Sequence, residues 1–394
     1  MNNINQAVIL AAGEGQRLRP FTASRPKVMI KVANRPLLQY VIEALAKNGI
    51  RKLAIVVGYK KEQIQDFFGA GERFGVDISY VVQKQQLGTA HAIKQSQPLV
   101  KGHFLALAGD SLVEPQTIAP LLKSAANTIL VTQKENASKY GVVGYEDGRV
   151  TSITNGHESE EFQWVSTGNY YFDERIFDFI GQEVDQNEVF RNMLSEGVII
   201  SAVRTSGQWL DIAYPWDILQ VNDTALQTLR PQIAGTVEHG VYMKGPVSIG
   251  KGSVIMANSY LSGPLLIGEN CRIGPNACVF ASSSLGDNVT VSSFCEIRNS
   301  VIEDGVTIGP SSLIVDSVID RSTSIGSHLL TRSEEVEVKV EGEYHKVIIG
   351  AMIGENCLLG DFITVNPGVM IGNSARIKPL RHVMENIADR SIVV

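Results

Sequence analysis

Residues 8–37 read VILAAGEGQRLRPFTASRPKVMIKVANRPL, and the fold class of the first half of the chain turns on them. The stretch opens in the apolar run Ala7 to Leu10, short enough for a buried strand, and breaks at Ala11-Ala12-Gly13-Glu14-Gly15. Small residues at such a break let backbone N–H groups approach a bulky anion. Five cations follow (Arg17, Arg19, Arg25, Lys27 and Lys31) against the carboxylate of Glu14. In a chain of net charge −6, this local excess points to a polyphosphate site rather than a nucleic-acid surface. Two common phosphate loops are excluded. No G-x-x-x-x-G-K-[ST] string follows Gly13, and Leu18 stands where G-x-G-x-x-G needs its third glycine.

Downstream, strands and helices alternate. Residues 37–48 carry Leu38, Val41, Ile42 and Leu45 at helical spacing and stop at Gly49. Residues 53–57, 78–82 and 104–108 read as strands, and 61–68 as a helix. This order predicts a doubly wound, Rossmann-like α/β sheet, whose ligands lie beyond the carboxyl ends of the strands. The glycine loop is at that edge. The third strand runs into Gln83, followed by Lys84-Gln85-Gln86-Leu87-Gly88-Thr89-Ala90-His91-Ala92. A glutamine amide offers a donor and an acceptor to a base edge. Gly88 lets the backbone approach a base, Thr89 is placed to cap the next helix, and His91 reads as a surface or core residue of it. The strand at 104–108 ends in Gly109-Asp110, a carboxylate well placed to hold Mg²⁺ together with phosphate oxygens.

From residue 247 the period changes. Ile249, Ile255, Leu261, Ile267, Ile273, Val279, Leu285, Val291 and Ile297 fall six apart. The register slips by one near Asn299, resumes at Ile302, Ile308 and Ile314, slips again before Ile319 and Ile325, and returns at Ile353, Leu359, Val365, Ile371 and Ile377. A period of six fits neither a helix nor a hairpin. It predicts a parallel β-helix in which each hexapeptide forms one face of a prism. The polar interruption at 326–347 contains the alternating run Val336 to Val340 and reads as an inserted hairpin. The expected domains are 1–230 and 246–394, joined by a linker at 231–245.

Composition is that of a globular chain, 44% hydrophobic and 19% charged over 394 residues. MNNINQ has no basic n-region, and no stretch has the apolar length of a membrane span. Cys271, Cys278, Cys295 and Cys357 lack C-x-x-C spacing and read as reduced thiols of a cytoplasmic protein. The mild acidity implies neither a nucleic-acid nor a membrane partner.

Taken together, L-A-A-G-x-G-x-R-L-x-P-x-T, the following P-K, Q-x-x-x-L-G-T-A-H-A, Y-G-V-V at 140–143 and W-L-D-I-A-Y-P-W-D at 209–217 resemble the sugar-1-phosphate nucleotidylyltransferases. With the hexapeptide half, the chain resembles the bifunctional N-acetylglucosamine-1-phosphate uridylyltransferase/acetyltransferases of archaeal type. The resemblance implies a left-handed β-helix, and a homotrimer formed through it. It implies transfer of a nucleotidyl group from UTP or dTTP to glucose-1-phosphate or N-acetylglucosamine-1-phosphate, with release of pyrophosphate. Arg17 and Lys27 would act on the phosphates, and Asp110 and Asp211 would hold Mg²⁺. Leu10, Ala11, Ala12, Gly13, Gly15, Gln83, Gly88, Thr89 and Gly109 would bind the nucleotide. Gly141, Asn155, Ser166 and Thr167 would face the sugar. Asn155-Gly156-His157 replaces the Glu-Lys-Pro of many relatives, and Ser166 replaces their asparagine, so a cation is missing from its expected place. An acetyl-CoA-dependent transfer to an amino sugar would fall to His328 or His345. The competing reading is a regulatory or scaffolding homologue that binds a nucleotide sugar without turnover.

Overall fold

The computed structural model describes residues 4–135, 137–156, 161–181, 185–205 and 207–394. They form two compact units. The first contains residues up to Glu14, Arg25–Met29 and Pro36–Asp211, and the second Gly15–Ser24, Ile30–Arg35 and Ile212–Val394.

The first unit is built on nine strands: β1 (Gln6–Ala11), β2 (Lys52–Val57), β3 (Asp77–Val82), β4 (His103–Ala108), β5 (Thr128–Lys134), β6 (Gly141–Glu146), β7 (Arg149–Asn155), β8 (Gln163–Asp173) and β9 (Ser201–Arg204). Their order across the sheet is β3-β2-β1-β4-β8-β5-β9-β7-β6. The first four are parallel, as the strand–helix alternation predicts. The rest of the sheet is mixed: β6 and β7 form a hairpin whose turn places Asp147 and Gly148 at positive φ, and β8 runs antiparallel to β4 and β5. Alternate residues of β1 point to opposite faces. Ile9 packs with Leu38, Val41, Ile42 and Leu45 of helix α1 (Leu37–Lys47), while Val8 packs with Ala90 and Ile93 of α2 (Thr89–Gln95).

In the second unit, three parallel sheets stack as the faces of a parallel β-helix. One column of inward residues runs Ile255, Ile273, Val291, Ile308, Ile325, Leu359 and Ile377, each paired with the next across one full coil. The six-residue period is thus one face, and three faces close a turn. At the corners the backbone turns through positive φ, at Asn258, Asn270, Asn276, Ser282, Asn288 and Phe294. Asparagine tolerates this left-handed conformation better than most side chains.

The unit boundary falls earlier than the linker expected at 231–245. Helix α3 (Asp217–Gln227) and two pieces of the opening stretch belong with the β-helix. The fully buried Asn222 ties α3 and the second of these pieces, 30–35, to the coils. Its Oδ1 accepts from Ala33 N at 2.9 Å and from Ser284 Oγ at 2.8 Å, and its Nδ2 donates to Ser282 O at 3.0 Å. The inserted hairpin also begins later than 326. Its strands are Glu334–Val340 and Glu343–Ile349. The coil continues through Thr331, six residues after Ile325 and in a second inward column, between Ile314 and Val365. Thr331 occupies this apolar slot because its hydroxyl accepts from Val315 N at 3.0 Å and from Ser317 Oγ at 3.1 Å.

Two outcomes follow. At the exposed corner Asn288 (φ 59°), Asn288→Gly should leave stability unchanged, while Asn288→Ala should cost about 1–2 kcal/mol, read from urea midpoints. Cys271, Cys295 and Cys357 are buried, and burial pushes the Cys357 thiol up to about 11. Titration of the native protein with a thiol reagent at neutral pH should therefore modify Cys278 at most, and all four thiols only after unfolding.

Candidate active site

The site is assembled at the carboxyl ends of β1 and β4. Gly109 N donates to Leu10 O at 3.0 Å, and a Cβ on Gly109 would lie 2.8 Å from that oxygen. It would also crowd Val28 Cγ1 at 3.3 Å. Gly58 is held as tightly, since a Cβ there would lie 2.8 Å from Ala12 O. Two glycines thus allow the loop after β1 to lie flat against neighbouring strand ends. The short turn Lys27–Met29 then sets the Lys27 ammonium in an ion pair with Asp110. A two-stranded ribbon, Ser111–Val113 with Trp209–Asp211, pairs Asp211 opposite Ser111. It brings a carboxylate from late in the chain beside Asp110. Tyr140 donates from its hydroxyl to Asp211 Oδ1 at 2.7 Å and fixes that side chain.

These groups line a cavity of about 570 Å³. Leu10, Ala12, Gly13, Lys27, Asp110 and Asp211 line it, together with Gln83, Gln86, Gly88 and Thr89. Further lining comes from a bulge in β8: the pairing with β5 shifts register between Ser166 and Tyr170. The unpaired residues Thr167 and Gly168 (φ 73°) meet the cavity there, beside Ser166. Bulges commonly aim side chains in this way. Ser166 Oγ donates to Tyr170 Oη at 3.2 Å, and burial pushes the Tyr170 phenol up to about 12, so it stays neutral. Among the described residues no cluster of three or more His, Cys, Asp or Glu side chains has the spacing of a metal site. Two carboxylates facing a ligand cavity nevertheless suit Mg²⁺, which takes one or two carboxylates and completes its shell with phosphate oxygens and water.

The nucleotidyl transferase family model matches residues 6–228, more than half of the chain, and the GMPPB C-terminal domain model matches 261–393. The chain belongs to the nucleotidyl transferase family. It is a transferase, 30% identical over 392 residues to the bifunctional protein GlmU of Methanococcus vannielii, across 94% of this chain and 93% of the relative. It is also 30% identical to the glucose-1-phosphate thymidylyltransferase of Streptomyces antibioticus, across 63% of this chain and 74% of that one. The solved structure of a UDP-glucose pyrophosphorylase complexed with UDP-glucose superposes with a TM-score of 0.50 at 23% identity, covering 57% of this chain and 100% of its own; it shares the fold.

Within this nucleotidyltransferase the structure brings most of the expected residues together. Leu10, Ala12, Gly13, Lys27, Gln83, Gly88, Thr89, Asp110, Gly141, Ser166, Thr167 and Asp211 all line the cavity. Others do not. Ala11 and Gly109 are placed behind the wall as supports, and Asn155 ends β7, paired with Gly141 across the hairpin. Gly15 (φ 76°) and Arg17 group with the second unit, where Arg17 Nε donates to Glu341 at 2.7 Å. Thr89 is not a cap: Gly88 stands at the N-cap of α2, with Thr89 its first helical residue. His157 lies outside the described residues. The two histidines considered for acetyl transfer have separate settings. His328 is a β-helix corner (φ 60°) stacked on Phe362, and His345 packs on Tyr214 with ring centroids 4.2 Å apart.

Some lining residues carried no chemical signal in the sequence. Tyr140 opens the Y-G-V-V motif and Lys139 precedes it, but only the hydrogen bond to Asp211 shows what Tyr140 does. Gln186 and Asn187 open a helix (Gln186–Ser195) whose cap is Asp185, accepting from Asn187 N at 3.0 Å. The prediction for this architecture is that Gly109→Ala costs about 1–3 kcal/mol by overpacking against Leu10, lowering the thermal midpoint, and that it reduces turnover because Asp110 is the next residue.

Proposed function

We propose that this nucleotidyltransferase moves a nucleotidyl group from a pyrimidine nucleoside triphosphate, UTP or dTTP, to a hexose-1-phosphate, glucose-1-phosphate or N-acetylglucosamine-1-phosphate. The observation that carries the reading is that Lys27, Asp110 and Asp211, which would serve the phosphates, line one cavity with Gln83 and Gly88, which would read the base. The names of the relatives support the substrate class.

A phosphate oxygen of the sugar phosphate attacks the α-phosphorus, the bond to the β-phosphate oxygen breaks, and pyrophosphate leaves. The nucleophile is already anionic, so the site needs no general base. It needs alignment and neutralisation of charge. Lys27, held between strand ends by its pairing with Asp110, supplies a fixed cation at the reacting phosphates. Lys139 lines the same cavity and supplies a cation toward the sugar phosphate that Asn155-Gly156 lacks. Mg²⁺ held by Asp110 and Asp211 would polarise the α-phosphate and template the in-line geometry. Tyr140 keeps Asp211 turned to that position.

A homotrimer formed through the β-helix is part of the same proposal. Phe294, Phe362 and Leu380 leave more than half of their surface exposed at coil corners, an apolar edge that copies of the chain could cover.

Pyrophosphate release with Mg²⁺ tests the reaction, across UTP and dTTP against the two sugar phosphates. Release with at least one pair is expected, and none with any pair would leave the non-catalytic binder as the reading. Lys27→Ala should lower kcat/KM by about a hundredfold or more, as loss of one preorganised donor does. Asp211→Asn should raise the Mg²⁺ concentration needed for half-maximal rate.

A further inference from the structure

Gln83 is buried, with 4% of its surface exposed, and lines the cavity. Both N–H groups of that amide are engaged. Nε2 donates to Gly88 O at 3.2 Å and stands 2.9 Å from His91 Nδ1. A carbonyl can only accept, so the contact with Gly88 fixes which end of the amide is the nitrogen. Oε1 then remains without a hydrogen bond among the described residues, and it is not sealed from solvent.

We propose that His91 is a positioning residue that locks the Gln83 amide with Nε2 turned away from the ligand and Oε1 offered to it, so that the site takes a base presenting a ring N–H donor and rejects cytosine. The inference rests on the nucleotide reading of the cavity given above. Uracil and thymine present N3–H, which donates to Oε1. Cytosine presents a bare N3 at the same point, acceptor against acceptor, and its own donor sits one position round the ring on the exocyclic amine.

The lock has a second link. For Nδ1 to accept from Gln83, the imidazole proton must be on Nε2. The side-chain amide of Gln95, one helical turn further along α2, stands 3.1 Å from that Nε2. Turned by half a rotation, it presents its carbonyl oxygen to the ring N–H. The relay Gln95–His91–Gln83 thus holds one tautomer and one amide orientation. Without the imidazole, Gln83 keeps only its longer bond to Gly88, and the amide is free to reverse and offer Nε2 to the N3 of cytosine.

The test compares kcat/KM for UTP and CTP, with the same sugar phosphate and Mg²⁺, in the wild type, His91→Phe and His91→Asn. Phenylalanine keeps the ring volume but removes the acceptor. Asparagine restores an acceptor, Oδ1, near the position of Nδ1. His91→Phe should lower the UTP:CTP ratio by about tenfold, the worth of one hydrogen bond, and His91→Asn should hold it near the wild-type value. Because both nucleotides are measured on one preparation, a loss of folded fraction cancels from the ratio. A ratio unchanged in His91→Phe, or one that falls equally in His91→Asn, overturns the inference. Equilibrium binding of UTP and CTP is measured on the same three proteins. If the wild type binds nucleotide yet releases no pyrophosphate, the transfer reading fails, and the Kd ratios decide the role of His91 by the same criterion.

Discussion

The hydrogen bond from Gly109 N to Leu10 O is the contact on which the candidate site depends. It ties the ends of two adjacent parallel strands together just where each breaks into a loop. One loop carries Ala12 and Gly13, and the other carries Asp110. The approach is close enough that a Cβ on Gly109 would overlap the carbonyl it serves. Parallel strands deliver their C-terminal loops to one edge. A glycine there lets the two loops share a wall, and Val28, packed over the same glycine, brings Lys27 to the carboxylate. Position, charge and steric allowance at this edge are therefore consequences of one backbone contact.

The second unit obeys a different constraint. Its inward columns must stay apolar, or satisfy each polar group inside the coil, because they are buried. Ile255 to Ile377 meet the first condition, and Thr331 the second, through Val315 and Ser317. The same rule governs Asn222. A buried amide is tolerable only with its bonds made, and three partners from distant parts of the chain make them. One of these is Ala33, from the opening stretch, and so a short piece of the first thirty-five residues is grouped with the β-helix.

Legibility of the site followed the distance over which its signals act. The glycine loop, Gln83 with Gly88, and Gly109-Asp110 are each a strand end and its own loop, so the residues that shape them are neighbours in sequence. Asp211 was legible only through a familiar motif, because a ribbon spanning about a hundred residues delivers it. Lys139, Gln186 and Asn187 carry no chemical mark of their own and acquire one by lining the cavity, and Tyr140, marked only by its motif, acquires its role through Asp211. Arg17 shows the reverse: its motif assigned it to phosphates, whereas a hairpin turn more than three hundred residues away holds it through Glu341. His91 read as an ordinary helix residue, and its significance lies in which atom of Gln83 it faces.

By itself the sequence determined the two architectures and many of the residues that line the cavity. Period and alternation are local properties: a six-residue repeat of apolar side chains buries itself one way only, and a glycine after a strand turns the chain wherever it occurs. Tertiary structure decided where one compact unit ends, that Thr331 stays within the coil, which further residues line the cavity and how the Gln83 amide is turned. Each of these depends on a hydrogen bond or a close approach between groups far apart in the chain, and no local pattern encodes such a partner.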